Sequence, residues 1–480
     1  MLKTIKDIIR YKTLLSVILK AVILYNMFQP IKSKNAEAII EEIIDQYTDA
    51  DKSDRPWIIG FSGGKDSTVL LTLVWIALRR VKENSPNLQL KRHVHVVCND
   101  TMVENPIIET YVEDVLSKIK SAAREQDLPV FVKKTTPKLE ESFWVNVIGK
   151  GYPVPNNAFR WCTDKLKIKP TASFLLEQID EKGEAIVLLG TRYEESATRE
   201  KSMRKHEVKG NRLSKHTVNV NTYVYAPIKD LMLEEIWYII NIIASPWGFD
   251  NSILFQIYSD ASADDYECPT VVSTKKHTSC GQSRFGCWTC TVVKQDKSMT
   301  ALVEKGQSWM APLMKFRNQL ADERNISSNR SSTRRNGLEA ITEEGHNVGN
   351  YADHYRAKIL RELLEIQKEV QKIKPEINLI NNQELIAIQV TWNRDGIFDR
   401  NVSDIYRKVF DKNISTNNMK SLGQTERRIL SEVCKETPSF YNLIDNLISL
   451  QESKTLMISK YGLHNDVEKR IESFVKENEV

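Results

Sequence analysis

The chain has 480 residues, of which 41% are hydrophobic and 27% charged. That is enough apolar material for a sizeable core and excludes a wholly disordered chain, and 18 Gly with 15 Pro are too few for a collagen-like or low-complexity protein. Lys and Arg number 68 against 63 Asp and Glu, and a net charge of +5 names no partner by itself, so its local distribution matters more.

At roughly 150 residues per domain the length suggests about three domains. No stretch of about 18 uninterrupted apolar residues exists, so no transmembrane helix and no membrane partner are expected. Thr13 to Phe28 is mostly apolar and follows Lys3, Lys6, Arg10 and Lys12. It could be read as a signal peptide with a poor cleavage site at Ala36-Glu-Ala38, but Lys20 interrupts the run. A terminal amphipathic helix, or a true start at Met27, fits better with the intracellular pattern that follows. A cytoplasmic location is therefore expected.

Ala36–Tyr47 has helical periodicity, and Trp57–Phe61 reads as a short buried strand. A Gly-containing turn at 62–68 leads into a helix over Val69–Arg79. His93–Cys98 is a second strand, Ile107–Gln126 a helix and Val130–Lys133 a third strand. Ile168–Glu181 is a helix with Pro170 in its first turn, and Ala185–Leu189 a further strand closed by Gly190. Strands alternating with helices predict an α/β fold with a doubly wound, mostly parallel sheet, whose ligands sit beyond the carboxyl ends of the strands. Leu231–Ile243 is an amphipathic helix, 260–300 is loop-like, and 322–350 is polar. From Tyr351 the pattern is helical again, over 351–373, 383–391, 424–436 and 438–452.

Ser62-Gly63-Gly64-Lys65-Asp66-Ser67-Thr68 follows a strand and opens a helix. Two glycines let backbone approach phosphate oxygens, the helix N-terminus presents N–H groups, and the hydroxyls and Lys65 add donors and charge. The spacing is not that of a Walker A loop. Asp100, at the end of the second strand, is placed to hold a ribose hydroxyl or Mg²⁺, or else simply to cap a helix. Thr101, Glu104, Pro106, Glu109 and Thr110 follow it. Arg160-Trp161-Cys162 precedes Lys165 and Lys167, a basic setting expected to favour a thiolate at Cys162. Arg192 and Arg199 lie just after the fourth strand and suit an anionic substrate, or are plain surface charges.

Seven cysteines stand at 98, 162, 268, 280, 287, 290 and 434. An odd number with this clustering does not look like a secreted disulfide scaffold. Cys280-x6-Cys287-x2-Cys290 points to a metal centre whose fourth ligand is Cys162 or Cys268. Thiolate ligation suits both Zn²⁺ and [4Fe–4S], but a zinc ribbon normally has two Cys-x2-Cys pairs and only one is present. From Arg199 to Lys215 seven Lys and Arg face Glu200 and Glu207, a basic stretch suited to tracking a phosphate backbone, or merely a solvated loop. The Arg-rich 324–335 stretch is a weaker candidate for the same role.

Ser-Gly-Gly-x-Asp-Ser resembles the PP-loop of ATP pyrophosphatases. Asp100-Thr101…Pro106…Glu109-Thr110 and Gly190-Thr191-Arg192…Ser196…Arg199 are similar to segments of PAPS and APS reductases. The PP-loop, Phe159-Arg-Trp-Cys162, Leu189–Arg199, Ser245–Asn251 and Ser279–Val293 occur in one order that resembles the DNA phosphorothioation sulfurtransferase family, from about residue 40 to beyond 410. The first 30 or so residues depart from that pattern. The resemblance implies an adenine nucleotide alpha hydrolase-like fold and an ATP pyrophosphatase domain over 36–255. Around it stand a helical extension over 1–35, an Fe–S segment over 256–320, a polar linker over 321–350 and a helical region over 351–480. It implies a [4Fe–4S] cluster on Cys162, Cys280, Cys287 and Cys290, with Cys268 as the competing ligand. ATP and Mg²⁺ are the implied cofactors, with nucleotide binding by Ser62–Thr68 and Asp100 and catalysis by Lys65, Asp66, Arg192 and Arg199. The implied partners are DNA, a cysteine desulfurase and other subunits of the modification complex. A PAPS reductase-like or RNA-thiolating enzyme, or a non-catalytic Fe–S DNA-binding subunit, are the alternatives.

Overall fold

The computed structural model describes residues 34–414, apart from 50–53, 85–89, 208–209, 217–218, 220 and 262–285, together with short pieces between 430 and 471. The extension over Thr13–Phe28, Cys268, Cys280 and most of the helices expected over 424–452 lie outside the described residues.

The N-terminal half is a six-stranded sheet in the order β3-β2-β1-β4-β6-β5. Helix α1 (Lys34–Thr48) precedes β1 (Trp57–Gly60), and α2 (Lys65–Asn84) follows it. Then come β2 (Val94–Asn99), α3 (Pro106–Glu125), β3 (Val130–Thr135), α4 (Lys169–Lys182) and β4 (Ala185–Leu188). Helix α5 (Ala197–His206) leads to β5 (Ser214–Lys215) and β6 (Thr222–Tyr225). Among the described strands of the sheet β1, β2, β3, β4 and β6 are parallel, and β5 pairs antiparallel with β6. β1 is central, flanked by β2 and β4, and its Trp57, Ile58 and Ile59 are all buried, which is why it reads as a continuous apolar run.

Chain order places β1 between strands that leave in opposite directions, so the loops after β1 and β4 border one crevice, the usual ligand position of such sheets. One face of the sheet is covered by α1, α2 and α3, with α6 (Leu233–Ile242) and α7 (Asn251–Ala261). The other carries α4 over Ile58, Val97 and Ala185, through Phe174 and Leu175.

The C-terminal half has its own core. It is built from α8 (Lys297–Glu304), α9 (Ala311–Glu323), α10 (Asp353–Gln371), α11 (Asn382–Arg394) and α12 (Val402–Phe410). Part of the first half joins it: Phe143–Ile148, Trp161 and Leu166 pack there. Trp144 Nε1 donates to the Leu379 carbonyl (2.8 Å), and Trp392 Nε1 and Arg356 Nε both donate to the Ile148 carbonyl (2.8 and 2.9 Å). The expected polar linker is tied down instead of running free. Arg330 donates to the carbonyls of Val348 (2.6 Å), Gly349 (2.7 Å) and Arg324 (3.0 Å), and short bridges join Thr333 to Glu339 and Ile341 to Asn347. Polar composition gave the segment no apolar face, but arginine-to-carbonyl bonds fold it without one.

Candidate active site and cysteine centre

The turn after β1 is closed by its own hydroxyls. Ser67 Oγ donates to the Gly64 carbonyl (3.0 Å), lies 3.2 Å from Ser62 Oγ, and accepts the Ser62 N–H (3.3 Å). Gly63 sits at φ +74°, and a Cβ there would lie 2.7 Å from Val112 Cγ2, so both conformation and space require glycine. Two tyrosines from outside the motif bracket the loop. Tyr111 of α3 donates to the Gly63 carbonyl (3.2 Å), and Tyr258 of α7 accepts the Lys65 N–H (3.3 Å) with its ring 5.1 Å from Lys65 Nζ. Burial pushes the Tyr111 phenol well above its ordinary range. No motif marks Tyr258, because α7 reaches the loop only through the tertiary fold.

Lys65, Ser67 and Thr68 are buried at the start of α2. Asp66 faces two cations: Arg192 Nε at 2.6 Å and Lys65 Nζ at 3.6 Å. Arg192 comes from the loop after β4, is 1% exposed, and also bonds Glu194 (3.0 Å) and the Leu231 carbonyl (3.0 Å). Its guanidinium is thus committed to holding Asp66 and the crevice wall. Arg199 does not join this group. It sits in the first turn of α5, half-exposed, paired with Glu195. Gly190 brings the two loops together, since a Cβ there would lie 3.1 Å from the Asp66 carbonyl carbon and oxygen.

Asp100 does not cap α3; Asn105 does, accepting the Ile107 N–H (3.1 Å). Asp100 accepts the Met102 N–H (2.7 Å) and pairs with Lys134 (2.9 Å), which fixes the start of the 100–106 loop. The far side of that loop carries the cysteine segment. Glu104 and Cys287 form a backbone bridge, Trp288 N–H donates to the Val103 carbonyl (3.0 Å), and Asn105 N–H to the Gly286 carbonyl (3.2 Å). Thr101 is fully buried; its hydroxyl donates to Glu104 (2.8 Å) and lies 3.3 Å from Cys287 Sγ.

Cys290 acts electrostatically on both Cys162 and Cys287, and Lys167 feels all three. The basic setting does not lower the Cys162 thiol. Burial and the neighbouring Cys290 push it up, and Thr163 and Lys167 only partly offset them. Burial and Glu104 push Cys287 up as well. Among the described residues no group of three or more His, Cys, Asp or Glu is arranged to hold a metal ion, and Cys268 and Cys280 lie outside them. Cys162, Cys287 and Cys290 are each half-buried, and a thiolate-bound metal would need them in the deprotonated form that burial disfavours. For Mg²⁺, Asp66 is the described carboxylate at the loop, and phosphate oxygens commonly supply most of the remaining ligands.

The basic stretch forms α5 and the strand that follows. Several of its cations are paired, Arg204 with Glu200 and Arg212 with Asp45, while Lys201 and Lys205 are exposed. No described helix is long and apolar enough to cross a membrane.

Residues 56–293 match the phosphoadenosine phosphosulfate reductase domain. A protein of Methanocaldococcus jannaschii described as uncharacterized is 27% identical over 181 residues, 38% of this chain. The match spans 29% of that relative's length. Two structures of Candida glabrata FMN adenylyltransferase align with 46% of this chain and 62% of theirs. One holds FAD and inorganic pyrophosphate (14% identity, TM-score 0.29), the other FMN and an ATP analog (13%, 0.28). By the family match, residues 56–293 are PAPS reductase-like with a PP-loop, and ATP is the nucleotide expected at that loop.

Proposed function

We propose that the protein is an ATP-dependent sulfurtransferase of DNA phosphorothioation, of the DndC kind. It would split ATP to AMP and pyrophosphate and replace a non-bridging oxygen of a DNA backbone phosphate by sulfur. The observation that carries this reading is the 100–106 loop. One end is anchored beside the nucleotide crevice by Asp100, and the other bonds the cysteine segment through Val103, Glu104 and Asn105. A plain nucleotide reductase has no need of a second cysteine-bearing core locked to its PP-loop rim. This extra construction favours an enzyme that joins activation to sulfur delivery.

A phosphodiester oxygen is a poor leaving group, so it needs activation. A DNA phosphate oxygen attacks the α-phosphorus of ATP; the bond to the β-phosphate breaks and pyrophosphate leaves into the turn at 62–68. Backbone N–H groups, hydroxyls and Lys65 neutralise the departing charge there. Asp66, held by Arg192, would take part in holding Mg²⁺ with the phosphate oxygens. Sulfur arrives as a persulfide from a cysteine desulfurase and attacks the DNA phosphorus. The P–S bond forms, AMP leaves with the original oxygen, and a second thiol reduces the remaining S–S bond. Cys280, Cys287 and Cys290, with Cys162 or else Cys268, would hold a [4Fe–4S] cluster, which either supplies a sulfur-handling centre or shapes the site. Arg199 and the basic stretch after it would meet the DNA backbone, beside the other subunits of the complex.

Lys65→Ala and Asp66→Asn should each lower ATP-to-AMP turnover by about 100-fold, the size of a lost charge-stabilising contact. Iron content should stay at the wild-type value. Unchanged turnover in both variants would sink the nucleotide-site assignment. A second reading, favoured by the family match itself, keeps the nucleotide site and changes the acceptor to a sulfonucleotide or RNA. Pyrophosphate release stimulated by duplex DNA supports the first reading, and release stimulated only by RNA supports the second.

A further inference from the structure

We propose that Arg317 is the positioning residue of the cysteine centre, holding Cys290 from the helical half of the molecule. The inference rests on Cys287 and Cys290 being ligands, and it concerns what keeps them in place.

Arg317 lies on α9 and is fully buried. Its Nε donates to the Cys290 carbonyl (2.7 Å), Nη1 to the Lys294 carbonyl (3.0 Å), and Nη2 to the Val293 carbonyl. Nη1 also meets Asn318 Oδ1 (2.8 Å). One guanidinium thus gathers three backbone carbonyls from residues 290–294, the second cysteine of the Cys-x2-Cys pair and the four residues after it. A turn cannot satisfy such inward-facing carbonyls by itself, and the planar fork of an arginine matches them where an ammonium cannot. Two turns further along the chain, Arg324 Nη1 donates to the Pro155 carbonyl (3.0 Å) and reaches that of Thr291 (3.5 Å). Thr291 Oγ1 donates to the same Pro155 carbonyl (2.6 Å).

The other side of the segment is held differently. Cys287 and Trp288 bond the 100–106 loop of the sheet half, and Cys290 N–H closes a turn on the Cys287 carbonyl (3.0 Å). Trp288 is buried against Trp144 and Phe316 at ring distances of 5.8 and 6.4 Å. The two cysteines therefore stand between two supports, the sheet half on Cys287 and Arg317 on Cys290. A buried cation kept from water by an apolar core is costly unless every donor is used, so Arg317 has a specific task in this position.

The test is site-resolved alkylation of the full-length protein, stripped of metal by chelation, with iodoacetamide and peptide mass spectrometry. Cys98, buried in β2, serves as the reporter of general loosening. Arg317→Lys should raise the alkylation rate of Cys290 at least about tenfold and leave Cys98 unchanged, because the fork is lost but the buried charge is kept. Equal rates at Cys290 in variant and wild type would overturn the proposal, and so would a parallel rise at Cys98. Should Arg317→Lys fail to fold, Arg324→Gln removes the outer contact, with a smaller rise confined to Cys290 expected on the same criteria. Anaerobic reconstitution with iron and sulfide separates this from the cluster assignment. A wild-type protein that takes up no iron defeats the cluster, while the thiol rates still decide the role of Arg317.

Discussion

Glu384 is a carboxyl in an apolar place, 1% exposed at the start of α11. It accepts from Ser142 Oγ (2.8 Å) and from the Asn381 N–H (3.2 Å), yet burial pushes its pKa up to about 7. The folded state therefore holds the proton more tightly than the unfolded chain, whose value is near 4.5. That contribution is complete below the unfolded value and is lost as pH rises through about 7; it amounts to about 3 kcal/mol. Glu384→Gln keeps a cap, since its amide can accept from Asn381 and donate to Ser142. The melting temperature of the variant should be flatter than that of wild type between pH 4.5 and pH 7. A wild-type profile that rises with pH across that range, and is unchanged in the variant, would refute the assignment. Gly190 makes a second prediction at the same scale. A Cβ there meets the Asp66 carbonyl group at 3.1 Å and the Ser67 nitrogen at 3.2 Å, all backbone, whereas one at Gly60 meets only Leu189 Cδ2 at 3.7 Å. Gly190→Ala should weaken ATP binding about tenfold by shifting the start of α2, roughly 1.4 kcal/mol, while Gly60→Ala leaves affinity unchanged in equilibrium titration.

The elements that could be read from the chain are those whose local pattern and tertiary environment agree. β1, β2, β3 and β4 are apolar runs between turns, and each is a strand within a residue or two of the expected bounds. β6 was not legible, because Thr222-Tyr-Val-Tyr is short and polar-flanked and becomes a strand through its ladder with β4. α8 begins at the end of the stretch expected to be loop-like and runs beyond it, and α12 lies where no individual helix was assigned. Each is under ten residues, so packing rather than propensity makes it a helix. At the site, the turn at 62–68 and the approach of Arg192 were legible, because both lie at strand ends. The roles were less so. Arg192 turns inward to Asp66, Asp100 is taken by Lys134 and Met102, and Cys162 is raised rather than lowered by its surroundings. Each depends on burial and on partners distant in sequence, which spacing does not encode. Tyr258 and Arg317 belong to the same class: one residue from a helix far along the chain completes each site.

For the whole molecule, charge is the property that sequence and fold express together. Removing the seven cations and two anions of residues 199–215 from the chain's 68 and 63 leaves 61 of each, so the entire net charge resides in that one stretch. It starts at Arg199, in the loop-to-helix turn that also supplies Arg192 to the nucleotide crevice, and its cations include the exposed Lys201 and Lys205 on one face of α5. Under the proposed function, DNA should bind along this one basic stretch of an otherwise neutral molecule. The affinity should then depend on counterion release: log Kd against log salt should be linear, with a slope set by the number of phosphates contacted. Lys201→Gln combined with Lys205→Gln should reduce that slope by about 2 and weaken binding alike for all duplex sequences. ATP hydrolysis without DNA should be untouched, because neither lysine belongs to the crevice. A double variant with the wild-type slope would move the DNA interface elsewhere on the protein, with the arginines of 324–335 next to be tested. A wild-type protein whose binding ignores salt would remove phosphate tracking from the mechanism altogether.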